Sequence, residues 1–305
     1  MLKRLLYLIP GIVLAISLFM LSNQSLSQAD LTIYQSALEL QNQMTGFTDF
    51  QLSDYPVRFF DGNKDYILSQ GQIRQDKPYF KALAATAVEI EGEYQIVLPT
   101  IERMTSTMSL LSLGQDTSMS YDSHALQSAT LWHEGFHCYQ LTSFEENLNR
   151  LFPDRPIDND VFLSQEIDRS DELLAGYRAA EMFLDQAIES QTKSEIKQLA
   201  GNFLDKYHTR RQDLTEQAKI FESFYEMIEG TAQYIESQAY LELAGPAAYE
   251  TYYFDSPPEN DRGMAKYYRM GRKICLLLDR VSPSWSENYH FEQSLVSVLE
   301  QSLEE

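Results

Sequence analysis

Hydrophobic residues beyond about residue 120 recur with the spacing of an amphipathic α-helix, almost to the end of the chain. The first of these helices is predicted to begin after Ser123, with Asp122 or Ser123 as its cap. A shorter helix is predicted at about residues 31–45. The pattern places the remaining helices at about residues 162–190, 193–211, 213–243, 262–281 and 287–303.

Strand-like patterning is confined to residues 55–100. Residues 55–60 are rich in aromatic side chains and run into the turn signal Asp61-Gly62. Residues 94–99 form a second candidate strand, which follows Glu91-Gly92 and stops at a proline. Both segments are short, so the sequence predicts a small sheet near the N-terminus.

The order of these patterns predicts the fold class. A short strand-containing stretch followed by long helical patterns is typical of an α+β domain in which helices predominate. With 305 residues, the chain is long enough for one large hydrophobic core. We therefore expect one domain at residues 30–305, with a small N-terminal mixed α/β part at 30–118 and a helical part at 119–305.

The N-terminus has the composition of a targeting segment. Lys3 and Arg4 precede an uncharged apolar run at residues 5–21, and the small residues of Ser27-Gln28-Ala29 suit a signal-peptidase site. Residues 1–29 are therefore predicted to be a signal peptide or a retained N-terminal membrane anchor. In either case the basic end stays inside, so the rest of the chain is expected to be extracytoplasmic, periplasmic or secreted.

The chain is acidic, with 45 Asp and Glu against 24 Lys and Arg, and its formal net charge is −21. Such a surface repels phosphate groups, so nucleic acid and anionic lipid are not expected as partners. Two cysteines, Cys138 and Cys275, are too few for a disulfide framework. Two buried free thiols are the expected outcome, and a single disulfide between them is left open.

The most informative segment is His133-Glu134-Gly135-Phe136-His137. Histidines four residues apart lie on one face of a helix, one turn apart, so both imidazoles can reach one metal ion. Glu134 lies about 100° round the helix, beside that metal, where a general base is needed. This is the arrangement of two zinc ligands and a catalytic carboxylate. Gly135 is interpreted as leaving room for the substrate beside Glu134.

The surroundings of this segment strengthen the zinc hypothesis. Glu134 is the only charged residue between Ala129 and Tyr139, and large apolar side chains cover every side of the predicted helix. A helix that is apolar all round is a buried helix. Burial of two histidines and a carboxylate costs several kcal/mol unless they have partners, and a metal ion would supply one.

A catalytic zinc site usually has three protein ligands. No third histidine follows His137 at a short spacing, so a carboxylate is expected. The best candidate is Glu229, at the margin of the apolar stripe of its predicted helix. Glu226 is expected to lie further round, toward solvent. Glu236 is also marginal, so position alone does not decide between it and Glu229.

His133-Glu134-x-x-His137 followed downstream by Glu229-Gly230-x-Ala232-x-Tyr234 resembles the gluzincin group of zinc metallopeptidases. The resemblance covers these two motifs and the helical second half of the chain. It implies a zincin-like fold in which one zinc ion is bound by His133, His137 and Glu229 and Glu134 is the catalytic base. The long gap between the two motifs leaves Glu166 and Glu172 open as alternative third ligands.

These observations lead to one hypothesis and one alternative. The hypothesis is zinc-dependent hydrolysis of a peptide or protein substrate, with Tyr268 as first choice for the residue that stabilises the oxyanion. The alternative is a non-catalytic zinc-binding extracytoplasmic protein, for binding or assembly, that retains a peptidase-like fold. His124 and His208 are expected to be surface or structural residues. The sequence has no Gly-x-Ser-x-Gly and no Gly-rich phosphate loop.

Overall fold

The computed structural model describes residues 26–111, 124–153, 168, 170–254 and 262–304. These residues form a mainly helical α+β structure with a small N-terminal sheet, which confirms the predicted fold class. Within the described ranges, no helix is both long and apolar enough to cross a bilayer. The predicted targeting segment at residues 1–29 lies outside them except for its last four residues, as do the predicted caps Asp122 and Ser123.

The N-terminal part contains one five-stranded sheet with the order β3-β2-β1-β5-β4. Strands β1 and β5 are parallel, and the other neighbouring pairs are antiparallel. Strands β3 and β4 are therefore the two edges of the sheet. The strands are β1 (Val57–Phe60), β2 (Asp65–Ser69), β3 (Gln72–Asp76), β4 (Thr86–Ile90) and β5 (Glu93–Pro99).

The apolar pattern of the sequence predicts two of the five described strands. The strands predicted at residues 55–60 and 94–99 are confirmed as β1 and β5, which lie inside the sheet and have buried apolar runs. Strand β3 was not predicted, because all five of its residues are exposed and four of them are polar or charged. Strands β2 and β4 were also not predicted. Pairing with a neighbour, rather than local apolar pattern, makes β3 a strand.

The helices make up most of the described chain. They are α1 (Gln28–Glu39), α2 (Ile101–Leu111), α3 (His124–Leu151), α4 (Asp171–Glu189), α5 (Lys193–Arg211), α6 (Glu216–Ala244), α7 (Pro246–Tyr253), α8 (Ala265–Val281) and α9 (Leu295–Glu304).

Most predicted helices are present, with local differences at their ends. Helices α5 and α6 begin after Thr192 and Thr215, whose side chains accept hydrogen bonds from backbone N–H groups in the first turn. Helix α1 begins at Gln28, inside the predicted targeting segment. Helix α9 begins later than predicted, because Trp285–Asn288 forms a separate 3₁₀ turn and Phe291 has a φ of 54°. Helices α2 and α7 were not predicted.

Helix α3 lies at the centre of the molecule. One hydrophobic cluster joins the sheet to the helical part, and α3 packs against β4 and β5 on one side and against α6 on another. Trp132 is buried, its indole N–H donates to the carbonyl of Ala37 at 3.0 Å, and its ring meets Phe50 edge-on. The expectation that the segment around His133 is apolar on all sides and buried is confirmed.

Gly135 has a packing role and does not face a substrate space. A Cβ at this position would lie 2.5 Å from Leu52 Cδ1, 3.3 Å from Ile96 Cδ1 and 3.4 Å from Phe50 Cζ. The glycine therefore lets α3 approach the sheet and the turn at Leu52. The interpretation of Gly135 as room for the substrate was wrong, since the missing side chain points into the core.

Helices α6 and α8 touch through two glycines. A Cβ on Gly230 would lie 2.4 Å from Gly271 Cα, and a Cβ on Gly271 would lie 1.9 Å from the carbonyl oxygen of Glu226. Such contacts leave no room for any side chain at either position. The close crossing brings Tyr268 of α8 to the face of α6 that carries Glu229.

Candidate metal centre

Three side chains from α3 and α6 converge on one point. The Nε2 atoms of His133 and His137 are 3.1 Å apart, and Glu229 Oε2 lies 3.2 Å from His137 Nε2 and 3.5 Å from His133 Nε2. Among the described residues, His133, His137 and Glu229 are the group whose possible ligand atoms lie close enough together to bind one metal ion. A tetrahedral zinc with bonds of about 2.0–2.1 Å separates its ligands by about 3.3–3.4 Å. The triangle therefore fits zinc.

The outward nitrogen of each imidazole has its own partner. His133 Nδ1 lies 2.8 Å from Glu236 Oε2, and His137 Nδ1 lies 2.8 Å from Gln140 Oε1. The orientation of the Gln140 amide is fixed, since its NH₂ group donates to the carbonyl of Ile228 and to Thr231. Because both partners can accept, a proton on each Nδ1 would leave the Nε2 lone pairs of both rings facing the centre.

The carboxylates of this cluster favour a positive charge beside the two imidazoles. Burial lowers the pKa of both imidazoles, but nearby carboxylates outweigh this effect. The hydrogen bonds that Glu229 and Glu236 accept raise the pKa of His133, and Glu229 raises the pKa of His137. The net pKa is raised for both histidines. Burial likewise raises the pKa of Glu229, yet His137 and His133 hold it far below its usual range. The carboxylate is therefore an anion that requires positive charge between it and the rings, which protons or a metal can supply.

The structure separates the candidates for the third ligand. Glu229 of α6, the best candidate from the sequence, lies with the two histidines. Glu172 is exposed in the first turn of α4 and is not part of the cluster. Glu166 lies outside the described residues. Glu236 is not part of the ligand triangle. It is hydrogen-bonded to Nδ1 of His133, the ring nitrogen that faces away from the centre.

The prediction that Glu226 faces solvent was wrong. Its side chain is buried and accepts hydrogen bonds from the hydroxyls of Tyr177 on α4 and Tyr207 on α5, at 3.0 and 2.6 Å. One turn earlier, Glu222 is also buried and forms a bidentate pair with Arg210 at 2.8 and 2.5 Å. Side chains of α4 and α5 cover this face of α6. The face is therefore part of the protein interior, although the groups that meet there are polar.

This interior makes stability depend on pH. Burial first, and then the Glu222 carboxylate, raises the pKa of Glu226 from 4.5 to about 7, against the opposing effects of Arg211, Tyr207 and Arg210. The folded state thus binds this proton more tightly than the unfolded chain, so stability falls as pH rises from about 4.5 to about 7. The contribution is on the order of 3 kcal/mol.

We expect Glu226→Gln to remove this part of the pH slope and to be more stable than the wild type above pH 7. Urea unfolding at about pH 5 and about pH 8 measures the difference. Glu242→Gln, an exposed change on the same helix, is the control and should keep the wild-type slope. An unchanged slope in Glu226→Gln would contradict the assignment.

Glu134 borders the same cavity as the three ligands. The cavity has a volume of about 300 Å³, and Glu134, His133, His137, Glu229 and Tyr268 are among its lining residues. Glu134 is half-buried and is close enough to His133 and His137 to favour their protonated forms. The predicted base is therefore placed beside the metal ligands and open to the cavity.

Tyr268 is the tyrosine of α8 that reaches the site. Its ring lies parallel to the His133 ring at 6.0 Å, and its hydroxyl is hydrogen-bonded to Glu229. Burial, followed by the charge of Glu229, raises its pKa, so the hydroxyl stays protonated. The neighbouring Tyr267 is fully buried against Tyr177 and Phe221 and does not reach the cavity.

The remaining candidates lie away from the cavity. His124 is exposed at the start of α3, and the exposed His208 pairs with Glu300 at 2.6 Å. Both are surface residues, as expected. Cys138 and Cys275 are free and buried, which agrees with the expectation of two thiols.

Three residues that hydrogen-bond around the centre were not predicted in this supporting role. Glu236 and Gln140 could have been found from helical spacing, since Glu236 follows Glu229 by two turns and Gln140 follows His137 by three residues. Tyr253, whose hydroxyl donates to Glu236 at 3.0 Å, gave no such signal because it comes from a different helix.

No protein-family model matches the chain, and neither a curated protein nor a solved structure matches it. Function is therefore inferred from the geometry and chemistry of the metal centre itself.

Proposed function

We propose that this protein is a zinc-dependent metallopeptidase of the gluzincin type. In the proposal, His133, His137 and Glu229 bind one Zn²⁺ and Glu134 is the catalytic base. The observation that carries it is the triangle of two imidazole Nε2 atoms and one carboxylate oxygen, with separations of 3.1, 3.2 and 3.5 Å, next to a cavity that Glu134 also lines. Two imidazoles and a carboxylate are a ligand set of catalytic zinc sites.

In the proposed reaction, each residue of the site would have a separate chemical role. A zinc ion held by His133, His137 and Glu229 would supply Lewis acidity and would make water more acidic at this site. Glu134 accepts the proton of the attacking water and returns it to the leaving amine. The Tyr268 residue lines the same cavity, and once Glu229 bound a metal, the Tyr268 hydroxyl would be free to donate a hydrogen bond to the developing oxyanion.

A peptide substrate is supported by the neighbouring strand. Thr86 and Ala87 of β4 line the cavity, and β4 is an edge of the sheet formed by the described residues. The unpaired backbone groups of an edge strand can pair with an extended peptide. A peptide bound in this way would pass beside Glu134 and the three ligands.

The proposal includes the location. The predicted signal peptide or anchor at residues 1–29 would place the catalytic part outside the cytoplasm, where it would meet periplasmic or secreted peptides.

Metal removal tests the proposal. We expect the purified protein to contain one zinc per chain and to cleave peptides in a mixed fluorogenic library. A chelator should abolish cleavage, and one equivalent of zinc should restore it. His137→Ala is the matched variant, because it removes a ligand and should lose both zinc and activity.

Two outcomes would contradict the proposal in different ways. A wild-type protein that binds no zinc would contradict the proposed metal site. One zinc per chain without cleavage of any peptide in the library would favour the alternative of a non-catalytic zinc-binding protein.

A further inference from the structure

Glu236 uses both of its carboxylate oxygens to connect His133 with a separate helix. Its Oε2 lies 2.8 Å from His133 Nδ1, and its Oε1 accepts from the Tyr253 hydroxyl at 3.0 Å. The Glu236 side chain is 14% exposed, so little water competes for either oxygen. The position of this carboxylate is therefore set by one histidine of the metal centre and by one tyrosine of α7.

Tyr253 is itself held firmly. Its side chain is buried, and its ring packs against Tyr249 and Tyr240. The Arg272 guanidinium lies over the ring at 4.7 Å and also donates to the Tyr253 carbonyl at 3.1 Å. The hydroxyl is thus fixed by contacts that do not involve its own oxygen. Burial keeps the pKa of Tyr253 well above its usual value, so the group remains a donor.

The second histidine is supported differently. His137 is held by Gln140, a neutral residue on the same helix, whose amide is anchored to α6. His133 is held by a charged carboxylate, and its support extends to α7, outside the two helices that carry the ligands. A carboxylate acceptor makes an imidazole a stronger metal ligand than an amide acceptor does. The two ligands therefore depend on different parts of the protein.

We propose that Tyr253 is a positioning residue of the metal centre. Its hydroxyl holds the Glu236 carboxylate in the orientation that keeps the proton on His133 Nδ1 and leaves Nε2 free for the metal. Helix α7 is then part of the support of the centre although it supplies no ligand. This inference rests on the proposed zinc site, and it assigns to Tyr253 a role in metal affinity that is separate from peptide cleavage.

Zinc affinity of the full chain, measured by competition with a chromophoric chelator, tests the proposal. Tyr253→Phe removes only the hydroxyl and keeps the ring that Arg272 covers. We expect it to weaken zinc binding by up to about 10-fold, less than the roughly 10- to 100-fold typical of losing the direct hydrogen-bond partner of a ligand, which here is Glu236. Tyr249→Phe, the same change on the same helix, is the control and should bind zinc like the wild type.

A second metal and a second variant separate positioning from general stability. The visible spectrum of bound Co²⁺ should change in Tyr253→Phe and not in Tyr249→Phe, because only the first disturbs His133. Glu236→Gln keeps both hydrogen bonds, since the tyrosine oxygen can accept from the amide, and removes the charge. It should show a smaller loss of zinc affinity than Glu236→Ala.

The outcomes distinguish this inference from the function on which it rests. Wild-type protein that binds no zinc would defeat the proposed function. Wild-type zinc binding together with equal affinity and equal Co²⁺ spectra in Tyr253→Phe and Tyr249→Phe would overturn the role of Tyr253 and leave the zinc site standing.

Discussion

Glu134→Gln is expected to lower the turnover number for peptide cleavage by about 100- to 10,000-fold while zinc content stays at the wild-type level. Glutamine has nearly the same shape as glutamate but cannot accept a proton at neutral pH. Glu134 is not one of the three converging ligand atoms, so its replacement leaves them in place. The measurement is steady-state cleavage of a fluorogenic peptide together with zinc analysis of the same sample.

Glu146→Gln is the control for this change, because Glu146 is exposed on the same helix and does not line the cavity. It should cleave the peptide like the wild type. Full activity in Glu134→Gln would exclude the assigned role. Loss of zinc along with activity would mean that Glu134 supports the metal instead of carrying a proton.

Gly271→Ala is expected to destabilise the fold by about 3 kcal/mol, the upper part of the usual range for overpacking. The new Cβ would lie 1.9 Å from the carbonyl oxygen of Glu226 and 2.6 Å from Gly230 Cα. These are backbone atoms inside a helix, so no side chain can move aside and α8 must shift away from α6. Urea unfolding with metal removed measures the change in the free energy of unfolding.

Gly201→Ala is a matched control, since Gly201 is also inside a helix and a Cβ there would meet nothing within 4 Å. This change is expected to stabilise the protein by up to about 1 kcal/mol, because alanine favours the helix. The two substitutions thus have opposite signs. Gly271→Ala should also impair cleavage under conditions where it remains folded, because the shift moves Tyr268 away from Glu229.

His133 and His137 could be predicted from sequence because their spacing on one helix fixes their geometry, whereas Glu229 also needed the resemblance of its motif, since helix position alone did not separate it from Glu236. His133 and His137 share one helix face, and Glu229 lies on the inner margin of another helix. The place of Glu226 could not be predicted in this way. It is buried because Tyr177 and Tyr207 of two other helices offer hydroxyls to it, and no pattern within α6 shows those partners.

In the fold as well, features with a local sequence pattern could be predicted, and features that depend on distant partners could not. Helix α3 and strand β1 were predicted because burial left a continuous apolar signal in the sequence. Strand β3 has no such signal, since it is held at the edge of the sheet by pairing with β2. Gly135 was misinterpreted for a related reason: the glycine is visible in the sequence, whereas Leu52, which requires it, comes from a distant turn.

A metal ion bound by the ligand triangle would also couple metal supply to the lifetime of the folded protein. His137 and Glu229 are 92 positions apart in the chain, so their side chains meet only after α3 has packed against α6. An unfolded chain cannot offer this set of ligands, and zinc would therefore bind the native state selectively. At a free zinc concentration 1,000 times the Kd, such selectivity contributes about 4 kcal/mol to the free energy of unfolding. In a compartment poor in zinc, the protein would then lose its proposed activity and would also unfold more readily.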